Sequence, residues 1–250
     1  MEQSKKRKLS EITNPTSESH QTKRLQTKPV GGSRLQEITN CLQADKQDGE
    51  TCPICLCDLD TDVVQLGTCK HLFHRDCLEA QLGESDWLKC CVCQCIYGLM
   101  KGDMPPGEMK WRLLPTLRCE GYPDIGVWDV FYNFWDGTLK GVKYKGTKRR
   151  AYLPDCEEGK KVLALLIKAF ERRITFSVGT SVTTGQKNVV VWNIHHKTSL
   201  DGGPSNYGYP DEEYFKRVQE ELAQRGVVIE SEDEVSKTIT NSVGHRYFLI

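Results

Sequence analysis

Apolar positions are spread unevenly along the chain. Residues 1–48 are rich in Ser, Thr, Gln and Lys and hold almost no aromatic or clustered apolar side chains. Such a segment lacks the surface to offset the entropy of ordering, so a disordered tail is expected there. A second globular region begins near Pro105. In it, Val127–Phe134 is rich in β-branched and aromatic residues and predicts a strand, followed by a Gly- and Lys-rich loop over 137–147. Asp155, with Glu158 three residues on, has the pattern of a capping box and predicts a helix start. Val162, Leu163, Leu165, Leu166, Ile167, Ala169 and Phe170 make that helix apolar on more than one side, which predicts a central position. Two further strands are predicted over 174–178 and Val189–Trp192, joined by GTSVTTGQK. That turn suits a plain hairpin, or one whose backbone N–H groups and hydroxyls meet a polar ligand.

The run WNIHHKT follows. Side chains alternate across an extended segment, so His195 and His196 should point to opposite sides. A Gly-rich loop through Tyr207 leads to a helix predicted from about Asp211, with Gly226 as its stop signal. Tyr214, Val218 and Leu222 mark its inward stripe. Glu221, nearly two turns after Tyr214, lies along that stripe, whereas Glu220 is rotated from it by about 100°. An inward carboxylate needs a partner or a task, and both a structural glutamate and a site residue fit. The chain closes with an acidic patch, Glu230 to Glu234, and HRYFLI, a tail that either docks on the domain or binds a partner.

Charge adds little. Lys plus Arg number 34, as do Asp plus Glu, so net charge argues neither for nor against a nucleic-acid partner. No run of eighteen apolar residues occurs and the start is polar and basic, so neither a membrane span nor a signal peptide is expected. Lys5, Lys6, Arg7 and Lys8, and then Lys23 with Arg24, resemble nuclear-import signals, which sets the expectation of a nuclear and cytoplasmic protein; a solvated basic tail is the plainer alternative. KLSEITN at 8–14 is echoed by RLQEITN at 34–40.

Cysteine changes the picture. Of twelve cysteines, six join two histidines in the series Cys52, Cys55, Cys69, His71, His74, Cys77, Cys90 and Cys93. Cys-x-x-Cys pairs open and close it, and such pairs present two thiolates to one zinc ion without strain. A disulfide framework fits poorly, because the histidines fall in step with the thiols. About forty residues bury too little apolar surface to fold unaided, and a structural zinc site supplies roughly 10–16 kcal/mol. Eight ligands fill two tetrahedra, so two structural zinc ions are expected, with no open catalytic position.

The order of ligands resembles a RING finger with two histidines. The resemblance implies interleaved sites, one of Cys52, Cys55, His74 and Cys77 and the other of Cys69, His71, Cys90 and Cys93. It also implies that Ile54 and Trp87 face a ubiquitin-conjugating enzyme, the alternative being that they pack between the zinc loops beside Leu88. Cys91 stands where such fingers usually have proline, and Gln94 where many ligases have a basic residue.

Beyond the finger, PPGEMKWRLL, YLPD, LLIKAFERR, FSVGTSVTTG, VVVWNIHHKT and GYPDEEYF occur in one order. Over roughly residues 50–228 the chain resembles the Deltex family of ubiquitin ligases. This implies an α+β architecture: a disordered basic tail over 1–48, a cross-brace RING finger over 49–100, a mixed α+β Deltex C-terminal domain over 101–228 and a tail over 229–250. The resemblance further implies a pocket for NAD or ADP-ribose, with His195 and Glu221 catalytic and His195, Tyr207, Ser181, Thr180 and Arg149 in contact with the ligand. Ubiquitin, a charged conjugating enzyme, and ADP-ribosylated proteins or nucleic acid would be the partners. One departure is that WNIHHKT lacks a residue that the family usually has between Asn and Ile. The implied activity is the joining of ubiquitin to ADP-ribose or ADP-ribosylated targets. The alternatives are a conventional lysine-directed ligase that uses the pocket as an ADP-ribose reader, and a non-catalytic nuclear zinc-binding reader.

Overall fold

The computed structural model describes residues 33–45 and 47–240, with the backbone of a closing strand, His245–Tyr247. The basic runs and the first copy of the KLSEITN echo lie outside the described residues.

The second copy of the echo is a helix, α1 (Arg34–Thr39), where a disordered tail is expected from composition. Ser33 caps its start by accepting from the Gln36 N–H, and Asn40 closes it in the left-handed conformation. Leu35 and Ile38, three apart, share one face, and Leu35 is fully buried in the zinc-module core. The Arg34 guanidinium donates to the carbonyls of Gly83, Glu84 and Ser85 and to the Asp86 carboxylate, at 2.7–3.0 Å. So short a helix is not stable alone; the finger supplies the surface that holds it.

The zinc module is built from small pieces. Strand β1 (Leu42–Gln43) pairs with β4 (Val63–Gln65), which pairs with β5 (Leu72–His74). β2 (Gln47–Thr51) pairs with β3 (Asp58–Leu59), and helix α2 (Arg75–Leu82) follows β5 directly. β6 (Trp87–Lys89) and β7 (Ile96–Gly98) close the module as a hairpin. Leu35, Leu59, Val64, Phe73, Leu78 and Leu88 form its core.

The linker after β7 is bound, not loose. The Gly102 N–H donates to the Arg172 carbonyl at 2.8 Å, and the Arg173 guanidinium holds the Met104 carbonyl. Then come β8 (Gly107–Leu114), β9 (Val127–Phe134), β10 (Gly137–Leu139), β11 (Val142–Tyr144) and β12 (Thr147–Pro154). The segment expected to be a loop is therefore a hairpin. Lys140 and Gly141, both at positive φ, make the tight turn whose twist matches the paired strands β10 and β11.

Helix α3 (Glu157–Glu171) packs its apolar sides against the sheet, as its pattern predicts, with Val162, Leu163, Leu166, Ile167 and Phe170 in the core. Its cap is Cys156, whose sulfur accepts from the Gly159 N–H, not Asp155. Asp155 is occupied elsewhere, accepting from the Trp128 indole at 2.8 Å. A Cβ at Gly159 would collide with the Pro154 carbonyl, so glycine lets the helix start directly beneath the strand end.

Strands β13 (Phe176–Gly179) and β14 (Val189–Trp192) form the predicted hairpin. Helix α4 (Tyr214–Ala223) starts three residues later than predicted, because Asp211 is held by the Lys197 ammonium and the Arg217 guanidinium. The closing segment docks on the domain: helix α5 (Glu232–Thr240) is tied to α3 through Lys168, which donates to the Val228 carbonyl and the Glu234 carboxylate. Strand β15 (His245–Tyr247) then extends the antiparallel sheet to the order β12-β9-β8-β15. Among the described residues no helix is long and apolar enough to cross a membrane.

Candidate functional site

The eight predicted ligands gather as two tetrads, Cys52, Cys55, His74 and Cys77, and Cys69, His71, Cys90 and Cys93, with the ligand atoms of each within 4.8 Å of one another. This is the interleaved pairing that the resemblance implies. A tetrahedral ion with zinc–sulfur bonds near 2.3 Å sets its sulfurs about 3.8 Å apart, so both clusters fit zinc.

Local backbone makes the fit possible. In the first turn the Cys52 N–H donates to Cys57 and the Leu56 N–H to Cys52, both at 2.8 Å, with Leu56 at positive φ. The last turn repeats this, with Cys90 to Cys95 and Gln94 to Cys90 at 2.9 Å and Gln94 at positive φ. Each knuckle turns two thiols toward one point. The backbone N–H of Cys57, joined by contacts from the neighbouring ligands, lowers the Cys55 thiol to about 6. Burial opposes the same shift at Cys69, but the Tyr97 hydroxyl and His71 bring it to about 6 as well. Both sulfurs are thus disposed to be the thiolates that zinc binds.

A second layer orients these ligands. His74 turns Nδ1 toward Cys55 at 3.3 Å and holds the Asp58 carbonyl through Nε2 at 3.0 Å, which sets the tautomer. The Tyr97 hydroxyl donates to the Cys69 sulfur at 3.1 Å and accepts from the Cys69 N–H at 2.8 Å. Tyr97 stands four residues after the last ligand, and ligand spacing alone gives no signal for its supporting role. Of the proposed partner-facing residues, Ile54 is exposed, as are Leu56 and Val92, and Trp87 is half-buried, while Leu88 is buried in the core of the zinc module.

In the second domain a cleft of about 290 Å³ is lined by Trp192, Asn193, His195, His196, Thr198 and Tyr207 among others. His195 is 68% exposed, and its Nδ1 lies 3.0 Å from Glu221 Oε2. The His195 backbone N–H donates to the same oxygen at 3.0 Å. The carboxylate can only accept, so Nδ1 carries a proton, and in the neutral imidazole the lone pair is on Nε2.

His196 has the opposite environment. Its Nδ1 donates to the Ile194 carbonyl at 2.8 Å, Nε2 accepts from the Tyr132 hydroxyl at 2.9 Å, and its ring lies 4.1 Å from that of Trp192. Burial pushes it down to about 3, so it is neutral near pH 7.

Asn193 anchors the segment that carries the histidines. Its N–H donates to Thr175 at 3.0 Å and its side chain accepts from the Ser177 hydroxyl at 2.8 Å, anchoring the segment to β13. His195 still meets Glu221. Lys197, which sequence reasoning passed over, fixes the facing loop: it is buried, donates to the Gly208 carbonyl at 2.7 Å and Asp211 at 2.6 Å, and lies over the Tyr209 and Tyr214 rings. That loop carries Tyr207, whose ring is largely exposed at the cleft edge.

A neighbouring cleft of about 540 Å³ shares Thr183, Trp192 and Thr198 with the first and adds Arg149 and Ser181. Arg149 Nε is buried there without a hydrogen-bond partner. Thr180 is exposed and lines neither cleft, so the structure does not bring it to the site.

A cross-braced zinc finger joined to an α+β domain with a histidine–carboxylate cleft defines a two-module RING-type protein. The comparisons agree: a family model for the RING-type zinc-finger matches residues 52–91, and the model for the Deltex C-terminal domain matches residues 101–227. The chain belongs to the Deltex C-terminal domain family. It is 44% identical over 193 residues to the Homo sapiens "Probable E3 ubiquitin-protein ligase DTX3", a match covering 74% of this chain and 54% of that protein. It is 39% identical over 186 residues to the Mus musculus "E3 ubiquitin-protein ligase DTX4", covering 70% and 30%, respectively. It is 42% identical over 177 residues to the Homo sapiens "E3 ubiquitin-protein ligase DTX1", covering 66% and 28%. The chain thus spans about half the length of the first relative and under a third of the other two. Helix α5 and strand β15 lie beyond the residues that the Deltex C-terminal domain model matches.

Proposed function

We propose that this chain is a RING-type ubiquitin ligase that joins ubiquitin to ADP-ribose, free as NAD or ADP-ribose or carried on a target. The observation that carries this reading is the His195–Glu221 pair at a cleft whose neighbour holds Arg149, with its buried Nε unpartnered. Zinc would be held by the two tetrads and would supply rigidity to the loops bearing Ile54 and Trp87, the surface for a ubiquitin-charged conjugating enzyme. Arg149 and Ser181 would meet the diphosphate, and Tyr207 would pack against a ribose at the rim.

The chemistry needs a nucleophile. A ribose hydroxyl attacks the thioester carbonyl of the charged enzyme and gives its proton to His195 Nε2; the carbon–oxygen bond forms as the carbon–sulfur bond breaks, and the thiolate leaves. Glu221 keeps the Nδ1 proton in place and stabilises the imidazolium that forms. The basic runs near the start fit work in the nucleus as well as the cytoplasm.

One observation favours a second reading. Gln94 folds its amide back onto the Cys91 carbonyl at 3.1 Å, so it reaches no partner as a basic residue there would. A ligase weak at lysine transfer, or a reader of ADP-ribosylated targets, would have that feature.

The test is a reconstituted reaction of charged conjugating enzyme, ubiquitin and labelled NAD with wild type, Cys52→Ala and His195→Ala. Label on ubiquitin only with both modules intact is the expected result. Unlabelled ubiquitin chains that survive His195→Ala would instead indicate a conventional ligase with a reader domain, and no transfer at all with intact ADP-ribose binding a non-catalytic reader.

A further inference from the structure

We propose that Arg225 is a positioning residue for the His195–Glu221 pair: by holding one oxygen of Glu221 and the backbone before the histidines, it keeps His195 in the tautomer that leaves Nε2 free. The inference rests on the reading of that pair as the site of proton transfer.

Arg225 lies two residues beyond the end of α4 and four after Glu221. Its guanidinium makes contacts in three directions. Nη1 donates to the Glu221 backbone carbonyl at 2.7 Å, and Nη2 donates to the Asn193 carbonyl at 3.3 Å. Nη2 also lies 3.7 Å from Glu221 Oε1. A basic side chain that merely finished the helix would need the first contact alone. Of the other two, one reaches across 32 residues of chain to the segment that presents His195, and one meets the carboxylate itself.

The division of the carboxylate follows. Oε1 faces the guanidinium, while Oε2 takes both the backbone N–H and the Nδ1 proton of His195 at 3.0 Å. Arginine suits this because its donors form a rigid planar fork; an ammonium on a flexible stem holds one or two of the acceptors, not all three in fixed relation. The Glu221 and Arg225 side chains are 17% and 29% exposed, so water competes only partly for these contacts. Without Arg225 the carboxylate would be freer to rotate, the Asn193 carbonyl would lose its tie to α4, and the imidazole would exchange its ring nitrogens. Nε2 would then face substrate without its lone pair for part of the time.

The test compares wild type with Arg225→Ala and Arg225→Lys in the full chain with zinc. The readouts are kcat and KM for joining ubiquitin to ADP-ribose, ADP-ribose affinity, thermal unfolding, and the nitrogen-15 imidazole spectrum of His195. Wild type should give the spectrum of a single Nδ1–H tautomer. Arg225→Ala should lower kcat about 10- to 100-fold through misorientation, with KM and affinity unchanged, and shift His195 to a tautomer mixture; the lysine variant should recover part of both. An unchanged kcat and tautomer in the alanine variant would overturn the proposal. So would a loss accounted for by unfolding or weaker binding, and should the alanine variant not fold, a lysine variant indistinguishable from wild type in both kcat and tautomer would do the same. If wild type joins no ubiquitin to ADP-ribose, the functional reading fails, while the tautomer comparison still decides whether Arg225 positions His195.

Discussion

Two adjacent histidines carry different chemistry because the chain turns them to different media. His195 faces solvent and leans on Glu221, while His196 lies against Tyr132 and Trp192 in the core. Their opposition follows from alternation along an extended segment and is legible in WNIHHKT; which of the two is buried is not. Burial of His196 has a consequence for stability against pH. Its folded value, about 3, is below the ordinary 6.5. Between these values the unfolded chain binds a proton that the folded chain does not, so stability is full above about pH 6.5 and falls as pH drops toward 3. For one such group the slope approaches about 1.4 kcal/mol per pH unit. His196→Gln should remove that part of the slope, read as the difference between wild type and variant in urea unfolding midpoints at pH 7 and pH 5. Parallel shifts in the two proteins would count against this account.

At the scale of elements, length decides what can be read from sequence. Helix α3 is long and strongly patterned and was legible, though its cap moved one residue because Asp155 is engaged by Trp128. Helix α4 was legible in its inward stripe but not in its start, since Asp211 binds Lys197, a residue distant in sequence from it. Helix α1 was not legible at all. It has two apolar residues on one face, below what a composition reading can recognise, and it forms because the finger buries Leu35 and Arg34 grips the end of α2. Leu35→Ala should therefore destabilise the zinc module by about 2–5 kcal/mol. The expected readout is faster loss of zinc to a chelator and a lower melting temperature for the module; retention of both would mean that α1 contributes nothing to it.

For the whole molecule, the described residues hold two separate apolar cores, one around the zinc tetrads and one between α3 and the sheet. The first is small and contains candidate metal ligands, the second is large and contains none of them. Chelation of zinc should unfold the finger, abolish any discharge of charged conjugating enzyme and leave the second domain folded, with any affinity it has for ADP-ribose retained. Circular dichroism and calorimetric titration on the chelated full chain check this. Concerted loss of both modules would show that the bound linker, through Gly102 and Arg173, makes them one cooperative unit.

Ligand spacing, helical periodicity and strand alternation are local properties, and from them alone came the eight metal ligands, the central helix, the divergence of the two histidines and the inward direction of Glu221. Pairing between distant residues is not local. That Glu221 reaches His195, that Lys197 holds Asp211, that Tyr97 supports Cys69, that Thr180 stands outside the clefts, and that the closing segment docks as a helix and a fourth strand are outcomes of folding. Each is set by which surfaces the packed elements bring within hydrogen-bond reach, a distance of about 3 Å that no spacing along the chain encodes.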